Sequence, residues 1–541
     1  MDKPFAITLD VGSSLANKTG SWRVERPVYV DRLPPCNDAC PAGENVQQWL
    51  YLAEDGSYEA AWRQIMLDNP FPAVMGRACF HPCQTACNRA TVDETVGINA
   101  VERFLGDRAL SEGWRPDPPG PSTGRRILVV GSGPGGLAAA YHLRRLGHEV
   151  VLHEAAPRPG GMMRYGIPAY RLPRDVVQAE IDRIVEMGVE IGYGRRVDDL
   201  QATMAAGRFD AAFVAVGAQK AHNAGIPAGD SARIVDAVSL LRDVEEHSPP
   251  ALGRRVAVYG GGDTAMDAAR TARRLGAEDT VVVYRRTRDR MPAHDEEVED
   301  ATDEGVRLRW LSTVKDAAGT AFTVEKMVLD ETGFPRPTGQ LEELRADSLI
   351  LALGQEADLS LLRNMAAVTV EDGVVRVGPD MSTGHPGVFA GGDMVTGPRT
   401  LTAAIGHARH AAVAIDDYLH GTAVERPRRH GLATADRLNT WYYADAPKTV
   451  RPRLDEARRT STFDEVVGGL DETTALFEAR RCLSCGNCFG CDNCFGICPD
   501  NAVLKVDVGH GYRFDYDYCK GCGLCVQECP CAAIDMVPEE I

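Results

Sequence analysis

Arg126-Ile127-Leu128-Val129-Val130-Gly131-Ser132-Gly133-Pro134-Gly135-Gly136 is a short apolar run that breaks into G-x-G-x-x-G. Residues Leu137 to Leu146 continue as a helix, and a second apolar run, Glu149 to Leu152, leads to Glu154. Strand, glycine turn, helix, strand and acid together form a dinucleotide-binding fingerprint, which is far more specific than the glycines alone. Gly131 makes the tight turn and Gly133 lets backbone approach a pyrophosphate at the helix N-terminus. Gly136 allows close helix–strand packing, and Glu154 is expected to accept from a ribose hydroxyl.

The pattern recurs at Val256-Ala257-Val258-Tyr259-Gly260-Gly261-Gly262-Asp263-Thr264-Ala265, with Gly260, Gly262 and Ala265 in the fingerprint positions. A helix to Leu275 follows, then a strand, Val281-Val282-Val283-Tyr284, that ends in Arg285-Arg286. An NAD site would carry an acid there. Two guanidinium groups suit a 2′-phosphate, so NADP(H) is favoured and NAD remains possible. Two fingerprints in Gly/Ala/Val-rich α/β sequence imply two Rossmann-like halves.

Sixteen cysteines flank this middle: five between 36 and 87, none from 88 to 481, then eleven. Cys488, Cys491, Cys494 and Cys498-Pro499 form one C-x2-C-x2-C-x3-C-P run, and Cys519, Cys522, Cys525 and Cys529-Pro530 form a second. In two-cluster ferredoxins the fourth Cys of each run ligates the other cluster. The expected sets are therefore Cys488, Cys491, Cys494 with Cys529, and Cys519, Cys522, Cys525 with Cys498. Tight triplets cannot all pair internally as disulfides, and zinc would need one tetrahedral quartet. The spacing implies electron transfer.

Hydrophobic content of 44% with 25% charge is that of an ordinary soluble globular protein. No eighteen-residue apolar stretch is present and the start, Met1-Asp2-Lys3-Pro4-Phe5, has no export signal. A net charge of −18 argues against a nucleic-acid partner. Cysteines used as ligands fit a reducing cytoplasm. Pro116-Asp117-Pro118-Pro119-Gly120-Pro121 marks a first domain boundary, and an Arg-rich stretch from about 426 to 480 reads as a connector over the body or as a solvated linker.

Gly387-Val388-Phe389-Ala390-Gly391-Gly392-Asp393 resembles the G-V-x-A-x-G-D segment of flavoprotein disulfide reductases. The resemblance gives Asp393 the role of binding the FAD ribityl and phosphate, which makes FAD the occupant of the first site. Read alone, Asp393 is a capping residue at a strand end. Gly160-Gly161-Met162-Met163-Arg164-Tyr165-Gly166-Ile167-Pro168, Gly262-Asp263-Thr264-Ala265-Met266-Asp267, Tyr284-Arg285-Arg286 and Met291-Pro292 are similar to segments of the small (beta) subunit of bacterial glutamate synthase and its relatives. The match covers about residues 36 to 420 and places Gly161 at the flavin site. By the same resemblance, Thr400-Leu401-Thr402-Ala403-Ala404-Ile405 starts a helix aimed at the flavin ring, with Thr402 as a cofactor-binding residue; otherwise it is an ordinary capped helix start.

In that family an N-terminal helical domain holds iron–sulfur clusters, and Cys36, Cys40-Pro41, Cys79, Cys83 and Cys87 match part of its pattern. The resemblance implies one cluster on Cys40, Cys79, Cys83 and Glu102; alone, Glu102 reads as a solvated helix residue. The family's upstream C-x2-C is missing, since Leu33-Pro34-Pro35 precede Cys36, and five cysteines could equally hold a single all-Cys cluster. Glu478-Ala479-Arg480-Arg481-Cys482-Leu483-Ser484-Cys485 looks like the missing E-A-x-R-C-x-x-C segment. Either it folds back to complete a cluster with Cys36 and Cys87, or Cys482 and Cys485 are free buried thiols. His81 and His142 read as surface or loop histidines.

The expected organisation is an N-terminal helical iron–sulfur domain (1–120), a split FAD-binding domain (121–225 and 350–425), an NAD(P)H-binding domain (226–349), a connector (426–480) and a two-[4Fe-4S] ferredoxin-like α+β domain (481–541). The resemblance implies FAD, NADP and three or four [4Fe-4S] clusters. It also implies exchange of electrons with a ferredoxin or a larger redox enzyme, such as a 2-oxoacid:ferredoxin oxidoreductase, as one subunit of a hetero-oligomer. The alternatives are a glutamate synthase small subunit, which normally lacks the ferredoxin tail, and a non-enzymatic electron conduit. No catalytic acid, base or nucleophile is required, because the cofactors carry the chemistry.

Overall fold

A computed structural model describes residues 18–221, 226–227, 233–421, 430–507 and 511–539. Residues 426–429 of the Arg-rich stretch and the Met1–Phe5 start lie outside them.

Two five-stranded parallel sheets form the body. The first runs Val388–Ala390, Ala211–Val214, Arg126–Val130, Glu149–His153, Glu190–Gly192. Its central strand is buried on both faces, which is why it reads as an unbroken apolar run. Ile127 and Val129 pack with Leu137 and Ala138 of the following helix, while Leu128 and Val130 pack on the opposite face with Leu361 and Met394. The second sheet runs Arg307–Arg309, Asp279–Val283, Arg255–Gly260, Ser348–Ala352, Ile234–Asp236. An antiparallel sheet of Ser312–Ala318, Ala321–Leu329 and Pro335–Arg345 covers its face through Ala257 and Tyr259. Ser348–Ala352 belongs to the second sheet, so that half extends past the expected boundary at 349.

The N-terminal helices Tyr58–Met66, Pro72–Ala78 and Ile98–Ser111 pack against the half built on the first sheet, and Val46–Glu54 packs on those helices. The 20-residue helix Leu401–His420 lies flush on them: a Cβ at Gly406 would stand 1.9 Å from the Pro41 carbonyl oxygen, so only glycine fits.

The two chain ends meet. Glu25–Tyr29 pairs antiparallel with Ile534–Pro538, and Val503–Lys505 pairs with Tyr512–Phe514. Residues 18–30, counted from sequence with the helical domain, thus pack on the ferredoxin-like module. Their apolar content is too short and local to reveal a partner five hundred residues away.

Candidate functional site

A cavity of about 750 Å³ opens between the two halves, lined by Gly131, Gly133, Glu154, Gly161 and Asp393 from one side and Asp263, Thr264 and Asp267 from the other. Gly133 and Gly262 sit at the starts of helices Pro134–Arg145 and Asp263–Arg274, and neither helix has a side-chain cap bond. A Cβ at either glycine would meet nothing within 4 Å, so each leaves an open cradle before a row of free amide N–H groups. Gly136 does the opposite work: a Cβ there would lie 1.8 Å from Gly131 O, where helix meets strand. Ala265 is fully buried in the core of the second half. These cradles fit two pyrophosphates.

Glu154 is buried at the end of its strand, where Oε2 accepts from Ser132 N and Oε1 from Ala156 N, both at 2.7 Å. The chain holds it in place beside the cavity. Burial raises the Asp393 carboxyl, with Arg399 opposing the shift. In the second half, Tyr284 lies flat against Gly261, whose Cβ would stand 2.3 Å from the ring. Arg285 is exposed, Arg286 is half-buried with its Nε unsatisfied, and among the described residues neither has an ion-pair partner. Unpaired guanidinium groups at this strand end suit an anionic ligand.

Thr402 departs from expectation. Thr400, Leu401 and Ala404 face the large cavity, but Thr402 lines a smaller one with Cys40, Cys79, Cys83, Glu44 and Glu102. Helical geometry turns adjacent residues about a hundred degrees apart, which the residue-by-residue resemblance ignores. Around this thiol group Asn69 Nδ2 donates to both Glu44 Oε1 and Glu102 Oε1 at 3.0 Å. Burial, then mutual repulsion, pushes Glu102 well up, and burial with nearby Asp68 lifts Glu44 to about 7. Burial raises Cys79 to about 12. Among the described residues neither carboxyl has an ion-pair partner, so burial favours their protonated forms, and a cation or metal beside them would be needed to hold either one ionised. The donor set fits an iron–sulfur cluster. Glu102 is buried at 6% exposure, not solvated, and neither Glu44 nor Asn69 stood in any recognisable spacing.

A second thiol group joins both chain ends. Cys36, Cys87, Cys482 and Cys485 lie together: burial and then the other three thiols push Cys36 well up, and burial lifts Cys485 to about 11. Asn88 Nδ2 donates to Cys485 Sγ at 3.5 Å. Arg481, 2% exposed, fastens the segment by pairing with Glu478 at 2.6 Å and Asp93 at 3.1 Å. The connector docks too, through Glu465 to Arg77 (2.7 Å) and Arg103 (3.0 Å), and through Arg453 to Asp300 (2.6 Å).

In the C-terminal module, Cys498, Cys519, Cys522 and Cys525 line one small cavity. Cys529 acts instead on Cys488, Cys491 and Cys494, which is the crossed grouping. Tyr29, from the N-terminal strand, has its hydroxyl 3.3 Å from Cys494 Sγ. Cys531, the one cysteine outside every expected set, is buried with Sγ 3.8 Å from that of Cys529. Among the described residues no three His, Cys, Asp or Glu side chains converge on a single metal ion.

Of the two histidines, His142 differs from expectation, while His81 lies in a loop as expected. His142 is buried, with Nε2 3.2 Å from Asp68 O, and burial lowers it to about 3. His81 belongs to the cluster loop: φ is 40° and its N–H donates to Cys79 Sγ at 3.2 Å. No helix among the described residues is long and apolar enough to cross a membrane.

Residues 125–408 match the pyridine nucleotide-disulphide oxidoreductase family. Residues 25–114 match dihydropyrimidine dehydrogenase domain II with its 4Fe-4S cluster, and 487–533 match a 4Fe-4S dicluster domain. The chain is similar to the beta subunit of the NADP(+)-dependent formate dehydrogenase of Moorella thermoacetica, 34% identical over 83% of this chain and 70% of that one. It is 32% identical to the NADPH-Fe(3+) oxidoreductase subunit beta of Geobacter sulfurreducens, over 85% of this chain and 77% of that one. A putative glutamate synthase (NADPH) small chain of Cereibacter sphaeroides is 37% identical over 65% of this chain and 92% of that one.

Proposed function

The chain belongs to the pyridine nucleotide-disulphide oxidoreductase family, and from that premise we propose that it is the electron-exchange subunit of a hetero-oligomeric redox enzyme. It is an oxidoreductase that uses FAD, NADP and [4Fe-4S] clusters. Bound together, these groups exchange the nicotinamide's two-electron hydride for single electrons.

The residues of the chain bind and order them. Gly133 and Gly262 open the two helix starts to pyrophosphate, Glu154 and Asp393 hold the flavin nucleotide, and Arg285 and Arg286 grip the 2′-phosphate of NADP. Cys40, Cys79, Cys83 and Glu102 hold the cluster beside the flavin. Cys36, Cys87, Cys482 and Cys485 hold the next, and the crossed sets hold two more. The observation that carries this reading is the shared wall: Ala78 lines the dinucleotide cavity and Cys79 lines the first thiol group. Electrons reach the C-terminal module, where Cys491 and Cys522 are exposed for a partner subunit or a ferredoxin. Relatives bearing the name beta subunit support a partner chain.

The test is anaerobic mixing of the full chain with NADP+ and a chemically reduced ferredoxin, alongside flavin bleaching by NADPH. A Cys482→Ala/Cys485→Ala chain should keep the bleaching and lose NADPH formation from ferredoxin. Undiminished NADPH formation would overturn the proposed order.

A further inference from the structure

The wall between the dinucleotide cavity and the first thiol group consists of two pairs of consecutive residues. Ala78 and Leu401 face the cavity, while Cys79 and Thr402 face the thiols. Thr402 is the second residue of helix Leu401–His420 and is 4% exposed. A hydroxyl at a helix start ordinarily caps free amide groups, but Thr400 already does so, accepting from Ala403 N at 3.1 Å. Back-bonding to a carbonyl one turn earlier is closed to it, because no helical turn precedes it. The Thr402 hydroxyl donates to Cys79 Sγ at 3.1 Å, and Met75 Sδ is more distant at 3.8 Å. Valine has the same shape as threonine, so packing alone gives no reason for a hydroxyl here.

We propose that Thr402 is a positioning residue for electron exchange: its hydroxyl orients Cys79 and raises the reduction potential of the cluster bound there. This rests on the reading that Cys40, Cys79, Cys83 and Glu102 hold a cluster. Donors to a ligating sulfur draw charge from it and favour the more negative, reduced state. The positive end of the Leu401–His420 helix acts in the same sense. The His81 N–H gives the sulfur a second donor at 3.2 Å, but a backbone donor is present whatever the side chain. In the step affected, one electron leaves the reduced flavin and one enters the cluster. Thr402 keeps its proton, and no bond is made or broken.

Thr402→Val removes the hydroxyl and Thr402→Ser restores it, so the pair is compared by redox titration of the full chain followed by electron paramagnetic resonance. In Thr402→Val the equilibrium for electron transfer from flavin to this cluster should fall about tenfold, which is ~59 mV for one electron. Iron and flavin content should be unchanged, and Thr402→Ser should return the potential to that of the parent. An unshifted potential in Thr402→Val overturns the proposal. If Thr402→Val sheds the cluster, Thr402→Ser decides: retention at the parent potential sustains the proposal, and loss in both shows a packing role and overturns it. An unchanged iron count in Cys79→Ala would instead remove the underlying cluster reading.

Discussion

Cys488, Cys491, Cys494 and Cys529 lie within one short C-terminal module, whereas Cys36, Cys87, Cys482 and Cys485 are drawn from both ends of the chain. The first group takes all its thiols from one short stretch, aimed by two helical turns and a hairpin, with the N-terminal strand added at the module's edge. The second exists only when the connector lies down across the body and Arg481 enters its buried pocket between Glu478 and Asp93. Redox ligands can thus be encoded by spacing or by docking, and the two differ in what breaks them.

The largest expected effect tests this difference directly. Cys36→Ala and Cys482→Ala/Cys485→Ala should each remove the same single cluster, despite their separation in sequence, and leave the C-terminal pair loaded. Cys488→Ala should remove iron from the C-terminal module alone. Iron counts that are independent between Cys36→Ala and the double variant would dissolve the split group.

Docking can also be attacked without touching a thiol. Arg481→Ala leaves the buried Glu478 carboxylate without its cation, a loss of about 3–5 kcal/mol for a broken buried pair. Denaturant unfolding should show that drop, and the split cluster should leave before the C-terminal ones. Simultaneous loss of all clusters would make the two regions equally dependent on docking.

A pH-sensitive contact joins the same bodies. Glu180 accepts from Ala73 N at 2.9 Å and Val74 N at 3.0 Å, tying the helical domain to the flavin half. Burial lifts Glu180 from 4.5 to about 7. The fold therefore favours the protonated acid, so its contribution is full below the unfolded value and is lost as pH rises through 7. The change approaches ~3 kcal/mol between pH 4 and 8. Thermal melts of Glu180→Gln should show a flatter pH slope than the parent; equal slopes would assign the pH dependence elsewhere.

The smallest effect belongs to a purely local motif. Replacing Arg285 and Arg286 with Ala should raise the NADPH KM about tenfold to a hundredfold, roughly 1.5–3 kcal/mol, with little change for NADH. Stability and iron content should not move. Equal effects on the two coenzymes would favour NAD(H) at this site.

Contiguous patterns carried most of what could be read beforehand. Strand, glycine turn and helix are neighbours in the chain, so the two parallel-sheet halves were legible from residues 126–154 and 256–286. The crossed C-terminal thiol groups were expected from contiguous runs too, because in two-cluster ferredoxins the fourth Cys of each C-x2-C-x2-C-x3-C-P run serves the other cluster. The family likeness pointed to Glu102 and to Cys482 and Cys485, but spacing alone left each of them with an ordinary alternative.

Tertiary structure decided what depends on docking and on the direction of side chains. It brought Cys36 and Cys87 beside Cys482 and Cys485, laid Glu25–Tyr29 against Ile534–Pro538, and buried Glu44 with Asn69 beside Glu102. It turned Thr402 from the cavity that its helix faces towards Cys79. No local pattern encodes these, since long-range contacts form only after loops of hundreds of residues have closed. What closes them is the summed burial and ion pairing of whole surfaces, which no short stretch of sequence contains.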